Sequence, residues 1–181
     1  MTPEKPESVL EFWFAEDVRP KWYAKDAAFD RRIVERFGAT YEAAHRGELD
    51  DWIEEECGAL ALIIVLDQFP RNMFRGSSRS FESNEIALEH ARTALARGYG
   101  QGMTAAERQF FYLPFMHSEA LADQELSVAL YRAMGEAESL KYAILHRDIV
   151  ARFCRFPHRN AVLGRSTTDE EAEFLKTHSG F

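Results

Sequence analysis

Residues 26–45 read Asp26-Ala-Ala-Phe-Asp-Arg-Arg-Ile-Val-Glu-Arg-Phe-Gly-Ala-Thr-Tyr-Glu-Ala-Ala-His45. Large apolar side chains recur at every fourth position of this stretch, at Phe29, Ile33, Phe37 and Tyr41. This spacing places them on one face of an α-helix, because the helix repeats about every 3.6 residues. The sequence therefore predicts a helix from about Asp26 to His45, closed by Gly47.

Helical patterns continue along the chain, and no segment alternates between apolar and polar residues over a convincing length. A short first helix has its apolar stripe at Val9, Leu10, Trp13 and Phe14. A buried helix contains Ala59–Leu66, and Pro70 is expected to end it. Further helices are predicted at about residues 83–97, 123–134 and 139–156, the last of them halted by Pro157.

Three Thr-x-x-Glu patterns are typical of helix starts. Thr104-x-x-Glu107 places an aromatic-rich stretch on a helix that Pro114 kinks or splits, and both Thr167-x-x-Glu170 and Thr168-x-x-Glu171 fit the start of a last short helix. Helices of this length joined by short loops favour antiparallel helix pairs. The sequence predicts an all-α fold of antiparallel helix pairs, in one domain over residues 1–181.

The charge balance limits the partners of this chain. Its 22 Lys and Arg residues stand against 30 Asp and Glu residues, which gives a formal net charge of −8. Dedicated nucleic-acid binders have a basic excess, and anionic membrane surfaces repel an acidic protein. We therefore predict a protein without a nucleic-acid or membrane partner. No apolar segment follows a basic start near Met1, so we predict no secretory signal and a cytoplasmic location. Cys57 and Cys154 fit no Cys-x-x-Cys pattern, and we expect both to be reduced and buried.

Two stretches combine many aromatic with many ionisable residues. They read Glu107-Arg-Gln-Phe-Phe-Tyr-Leu-Pro-Phe-Met-His-Ser-Glu119 and His146-Arg-Asp-Ile-Val-Ala-Arg-Phe-Cys-Arg-Phe-Pro-His-Arg-Asn160. Charged groups beside this much aromatic surface must be paired, hydrogen-bonded or used at a site. On a helical wheel His146 falls inside the apolar arc, which fits either a hydrogen-bonded core histidine or a ligand-binding or catalytic one.

Several arginines follow or end predicted helices, namely Arg71, Arg75, Arg155, Arg159 and Arg165. If they converge on one rim, their guanidinium groups would hold a carboxylate or phosphate through paired hydrogen bonds. The alternative is that each arginine serves only its own helix end. A second set shares one edge of a helix, provided that the helix continues past Pro114: Arg108, Tyr112, Glu119 and Asp123. This set forms either a ligand site or a polar network between helices.

Familiar cofactor and metal motifs are absent from the sequence. It contains no Gly-x-x-x-x-Gly-Lys-Ser/Thr phosphate loop, no Gly-x-Ser-x-Gly nucleophile elbow and no His-Glu-x-x-His zinc motif. The pair formed by Glu42 and His45 is half of what a di-iron carboxylate bundle needs. We therefore predict neither a cofactor nor a metal.

The most distinctive motifs are Val9-Leu-Glu-Phe-Trp-Phe14 and Leu66-Asp-Gln-Phe-Pro-Arg-Asn-Met-Phe-Arg-Gly76. Together with residues 107–119, 146–148 and 156–167, they resemble the bacterial family called domain of unknown function 924. The resemblance implies an all-helical fold similar to tetratricopeptide-like helical arrays, and it implies no established activity, cofactor or catalytic residue. Cys154 departs from the pattern, because a glycine or similar small residue is expected there.

Our leading hypothesis is a non-enzymatic binding module with a groove for a carboxylate- or phosphate-bearing small molecule or peptide. Its predicted polar lining consists of Arg71, Arg75, Arg108, His117, Glu119, His146 and Arg159. The arginines would clamp the anion, while His117 and Glu119 would orient it.

Two alternatives stay open. A hydrolase would use His117 or His146 as general base with Glu119 or Asp148 as orienting carboxylate, and a metal-assisted version would recruit His117, Glu119 and Asp123. In the other alternative these residues form a buried polar network, and function lies in oligomeric contacts. A homodimer surface is then one of two roles open to Trp13, Trp22 and Trp52, the other being to fill the core.

Overall fold

In a computed structural model of the chain, residues 2–178 and 180 are described, and they form helices and turns without a β-strand. The all-α prediction is therefore confirmed, whereas the likeness to tetratricopeptide arrays stays a prediction. The α-helices are α1 (Pro6–Trp13), α2 (Ala27–His45), α3 (Glu56–Ile63), α4 (Phe69–Met73), α5 (Asn84–Ala96), α6 (Ala105–His117), α7 (Leu121–Met134), α8 (Ala137–Phe153) and α9 (Asp169–Leu175).

The chain divides into two compact units. The first consists of Met1–Arg75 and Arg79–Pro114, and the second of Gly76–Ser78 and Phe115–Phe181. The division falls within α6, so this helix contributes residues to both units. One domain over residues 1–181 stays a prediction, which a single cooperative unfolding transition would support.

In the first unit, α2 forms as its sequence predicts. Asp26 is the N-cap, and its Oδ1 accepts hydrogen bonds from the backbone N–H groups of Ala28 (2.9 Å) and Phe29 (3.1 Å). These N–H groups have no partner within the helix. The predicted apolar stripe is fully buried, with 0% exposure at Phe29, Ile33, Phe37 and Tyr41. Gly47 follows with a φ of +77°, a left-handed conformation that glycine adopts without steric cost.

The buried helix of the first unit does not end at Pro70, so that prediction was wrong. α3 passes into a π-helical turn at Ile64–Gln68 and continues as α4, whose first turn contains Pro70. Proline has no N–H to donate to the carbonyl four residues earlier, which here belongs to Leu66. Ser83 supplies a donor instead, because its buried hydroxyl lies 2.6 Å from the Leu66 oxygen. The helix continues through the proline because the freed carbonyl has a partner.

In the second unit, α7 and α8 pack against each other. The two residues Gly135 and Glu136 connect them, and so short a connection makes the helices antiparallel. α8 ends at Phe153, earlier than predicted, because Cys154 turns into the left-handed region with a φ of +56°. Beyond this turn, Phe156 is fully buried in the core of the unit.

Both cysteines are free and exposed, so the prediction that they are buried was wrong. The backbone at Cys154 also explains why a glycine is expected at this position. A left-handed φ brings the Cβ of an L-residue close to the following carbonyl oxygen, and glycine has no Cβ.

Two of the three Thr-x-x-Glu patterns form capping boxes. Thr168 and Glu171 bond reciprocally at the start of α9, at 2.8 and 3.2 Å, so Thr168 rather than Thr167 is the cap. Thr104 and Glu107 do the same before α6, at 2.9 and 3.3 Å. α6 then continues through Pro114 to His117.

Among residues 2–178 and 180, no helix has the length and apolar character needed to cross a bilayer. The cytoplasmic location and the homodimer stay predictions.

Candidate functional site

The C-terminal end of α6 is held by a side chain of α7. Gln124 is 0% exposed, and its Nε2 donates to the carbonyl oxygens of Ser118 (2.6 Å), Met116 (2.7 Å) and Phe115 (3.4 Å). The last carbonyls of a helix have no partner within the helix, and Gln124 satisfies several of them. The linker between the two helices is thereby fixed, and this linker contains Glu119.

Glu119 lies at the centre of the candidate site. Its Oε1 accepts from the backbone N–H of Phe156 (2.8 Å) and from Arg165 Nη2 (3.0 Å), and its Oε2 accepts from Arg165 Nη1 (2.7 Å). Arg159 Nη1 lies 3.9 Å from Oε1. Burial raises the pKa of Glu119, but the hydrogen bonds from Arg165 and the Phe156 amide outweigh it and hold the pKa below its usual value. Two guanidinium groups and an amide therefore surround an ionised carboxylate.

Arg159 is nearly closed off from solvent, with 5% exposure. Its Nη1 donates to the carbonyl oxygen of His117 at 3.0 Å, and its Cζ lies 4.3 Å from the centroid of the Phe156 ring. A guanidinium group at this distance from an aromatic face makes a cation–π contact. Arg159 therefore connects the end of α6 with the loop after α8, and it places a positive charge beside His117.

His146 is buried at 5% exposure, as its place on the apolar arc predicts. Its Nδ1 lies 2.8 Å from the carbonyl oxygen of Tyr142; a carbonyl only accepts, so Nδ1 has the proton and Nε2 presents a lone pair. The ring centroids of His146 and His117 are 6.4 Å apart. Burial lowers the pKa of His146 to about 3, and the charges of His117, Arg159 and His158 add to this effect. The imidazole is therefore neutral at neutral pH and lies in positive surroundings.

A second glutamate anchors the loop between α8 and α9. Glu171 accepts from Arg155 Nε (2.6 Å) and Nη2 (2.9 Å), and from Asn160 Nδ2 (3.3 Å). The hydrogen bonds from Arg155, and then that from the Thr168 backbone, outweigh burial and hold the pKa of Glu171 at about 2. The loop that includes the arginines of the site is thus held by two ionised glutamates.

The first unit contains three of the predicted site residues, and Arg71 is one of them. It donates to Asp67 Oδ1 (3.0 Å), Asn84 Oδ1 (3.1 Å) and the carbonyl oxygen of Ser80 (3.2 Å). Asp67 is only 1% exposed and the Arg71 side chain is 21% exposed, so this is a half-buried ion pair between residues four apart. Arg71 thereby joins the end of α4 to the start of α5.

Arg75 and Arg108 also bond within the first unit. Arg75 forms a two-pronged pair with Asp30, at 2.9 and 3.0 Å. Arg108 donates to the carbonyl oxygens of Gly100 (2.8 Å) and Met103 (2.9 Å), in the loop before its own helix. For these arginines the contacts favour the alternative in which each one stabilises only the helix end or loop beside it.

Comparison with known protein families assigns the chain to one of them. A family model described as "Bacterial protein of unknown function (DUF924)" matches residues 9–179. The chain belongs to DUF924. It is similar to the protein of unknown function ATU0120 from Agrobacterium tumefaciens, whose structure has a TM-score of 0.91 and 43% sequence identity over 96% of this chain and 97% of that one. No curated protein matches it. The resemblance found in the sequence is confirmed.

In this DUF924 chain the second unit brings four predicted site residues together: His117, Glu119, His146 and Arg159. Arg165 was grouped with the helix-end arginines but left out of the predicted site. A sequence signal for it is Gly164, which has a φ of +64° and lets the Arg165 N–H return to the carbonyl of Asn160 at 2.8 Å. A glycine that ends a helical turn in this way reverses the chain toward the preceding residues.

Two predictions about the end of α6 in the DUF924 chain were wrong. The helix ends at His117, so Glu119 and Asp123 do not share its edge with Arg108. Asp123 lies in the first turn of α7 and accepts the Ser118 hydroxyl at 2.7 Å. In the part of the chain that the structure describes, no three His, Cys, Asp or Glu side chains could together hold a metal ion. The metal-assisted set of His117, Glu119 and Asp123 is therefore not assembled.

Proposed function

We propose that this DUF924 protein is a binding module that holds an anionic small molecule or peptide at the site formed by His117, His146, Arg159 and Arg165. The observation that carries the proposal is that Arg159 and Arg165 both approach one carboxylate, that of Glu119. Guanidinium groups that approach a shared point are the arrangement with which proteins bind carboxylates and phosphates.

The electrostatics of the site support an anionic ligand. His146 is neutral because burial and the positive charges around it disfavour its protonated form. An anion bound among these groups would interact favourably with the positive charges of Arg159 and Arg165.

The contacts of His146 favour binding over hydrolysis. A pKa of about 3 makes this imidazole a weak base at neutral pH. Its Nδ1 is oriented by a backbone carbonyl, whereas Asp148, the carboxylate considered for this role, pairs with Arg147 at 2.6 Å. A general base in a hydrolase is normally oriented by a carboxylate and titrates closer to neutrality.

A structural protein is the second candidate, and the surroundings of Glu171 favour it. Its carboxylate already accepts four hydrogen bonds, from Arg155, Asn160 and the Thr168 backbone. If Glu119 has the same role, both glutamates stabilise the loop between α8 and α9, and the site binds nothing.

The test is a titration of the protein with inorganic phosphate and with acetate, followed by NMR of the histidine side chains at pH 7 and pH 6. We expect saturable shifts of the His117 and His146 resonances at both pH values. Arg165→Met is expected to weaken binding at least about tenfold, because the two-pronged contact is lost. The matched control is Arg152→Met, since the Arg152 side chain is 54% exposed and pairs with Glu170 outside the site.

Thermal unfolding of each variant shows whether it is folded before the titration is interpreted. Absence of saturable shifts in the wild type, or equal affinity of Arg165→Met and Arg152→Met, would contradict the binding proposal. A loss of several kcal/mol in Arg165→Met, without any anion effect in the wild type, would establish the structural candidate.

A further inference from the structure

We infer that the ligand of this site bears a free carboxylate, which takes the place that the Glu119 carboxylate occupies in the structure. The inference rests on the proposed function, and it names the class of ligand and its internal competitor. The ligand is either a small carboxylic acid or the C-terminus of a peptide, since both present the same group.

The donors around Glu119 match a carboxylate. Arg165 contacts both of its oxygens, at 2.7 and 3.0 Å, and the Phe156 N–H approaches one of them at 2.8 Å. This two-pronged contact is the geometry with which a guanidinium group recognises a planar carboxylate. All three donors hydrogen-bond to just two oxygen atoms. A phosphate has additional oxygens, which these donors would leave without a partner.

The Glu119 side chain can leave without unfolding the unit. It is 27% exposed and extends from a linker whose backbone is fixed independently, through Gln124 and through the Ser118 hydroxyl, which accepts the Ala120 N–H at 3.1 Å. Rotation of a partly exposed side chain takes picoseconds to nanoseconds. Glu171 offers the opposite case, because its side chain is 3% exposed and belongs to the capping box of α9.

Competition from Glu119 would weaken the apparent affinity of the wild type. When the open form of a site is populated at about 10% or less, the apparent dissociation constant rises at least about tenfold. Removal of the competing carboxylate removes this cost. Glu119→Ala is therefore expected to bind carboxylates at least about tenfold more tightly than the wild type, with Glu119→Gln between them because its amide oxygen still accepts from Arg165.

The experiment compares acetate, trialanine, C-terminally amidated trialanine and inorganic phosphate. Each is titrated by NMR into the wild type, Glu119→Ala, Glu119→Gln and the matched control Glu171→Ala. We expect acetate and trialanine to bind Glu119→Ala most tightly and to raise its thermal midpoint, and the amidated peptide not to bind. Tighter binding of trialanine than of acetate identifies a peptide C-terminus, and the reverse order identifies a small acid.

Three results would overturn the inference. They are no gain of acetate affinity in Glu119→Ala, an equal gain in Glu171→Ala, and tighter binding of phosphate than of acetate. If Glu119→Ala does not fold, the isosteric Glu119→Gln decides by the same comparison with the wild type. When the wild type shows saturable His146 shifts but the Glu119 variants bind no better, the inference alone fails. When the wild type responds to no anion, the proposed function fails as well.

Discussion

Replacement of Ser83 by alanine tests why the buried helix of the first unit passes through Pro70. The Ser83 hydroxyl is 0% exposed and lies 2.6 Å from the carbonyl oxygen of Leu66, which Pro70 cannot serve. A buried carbonyl that loses its partner costs about 1–3 kcal/mol. We therefore expect Ser83→Ala to lower the free energy of unfolding by about 1–3 kcal/mol.

A double-mutant cycle tests whether Ser83 and Pro70 act on the same group, the carbonyl of Leu66. Pro70→Ala supplies a backbone N–H in the helix, so it should recover part of the loss when it is combined with Ser83→Ala. We expect a coupling free energy of about 0.5–3 kcal/mol between the two substitutions. The assay is urea unfolding followed by circular dichroism, on the wild type, both single variants and the double variant.

The exposed Ser78 provides the matched control, because Ser78→Ala removes the same hydroxyl without uncovering a buried carbonyl. Its effect is expected to stay within about 0.5 kcal/mol. Additive effects of Ser83→Ala and Pro70→Ala, within about 0.5 kcal/mol, would refute the explanation, since the proline and the serine would then act independently.

Four further substitutions test backbone geometry and pH dependence. A Cβ at Gly58 would lie 2.3 Å from the Trp52 carbonyl oxygen, so Gly58→Ala should lower the free energy of unfolding by roughly 1–3 kcal/mol in urea. Gly38 lies inside α2, and a Cβ there would meet nothing within 4 Å, so Gly38→Ala should raise the free energy of unfolding by about 0.5–1 kcal/mol. A stabilising Gly58→Ala together with a destabilising Gly38→Ala would contradict this geometry. Cys154→Gly should raise the thermal midpoint, because a residue with a Cβ pays about 1–2 kcal/mol in the left-handed region; a lower midpoint would show that its φ is not strained. In the unfolded state the His146 imidazole has its ordinary pKa of about 6.5, whereas burial lowers its pKa to about 3 in the folded state. Between these values only the unfolded state binds the proton, so the free energy of unfolding should fall as the pH falls. His146→Gln should reduce this slope between pH 6.5 and 5, above the range in which carboxylates titrate, and an unchanged slope would assign it to other groups.

The sequence was sufficient where structure depends on near neighbours. The stripe of α2 follows from residues four apart, and both capping boxes follow from residues three apart. The Asp67–Arg71 pair likewise joins residues four apart. In each case one turn of helix contains all the information, because the interacting atoms belong to adjacent positions on its surface.

The sequence was insufficient where the partner is distant along the chain. The hydroxyl that allows Pro70 to remain in a helix belongs to Ser83. The rule that proline ends a helix considers only the hydrogen bonds within that helix. Glu119 was placed on α6 because the helical wheel continued past its true end at His117. Its partners, Phe156 and Arg165, are 37 and 46 positions away, so only the folded chain shows that they meet.

The π-helical turn at Ile64–Gln68 also affects how this segment tolerates changes in length. A π turn bonds residue i to i+5, so it accommodates one residue more than an α turn while the helices on either side keep their facing. Deletion of a single residue from this turn would convert it to ordinary α-helix and leave the side chains of α4 directed at the same neighbours. Elsewhere in a buried helix such a deletion rotates everything downstream by about 100°. In this family, a one-position gap between residues 64 and 68 would therefore be compatible with an otherwise unchanged core.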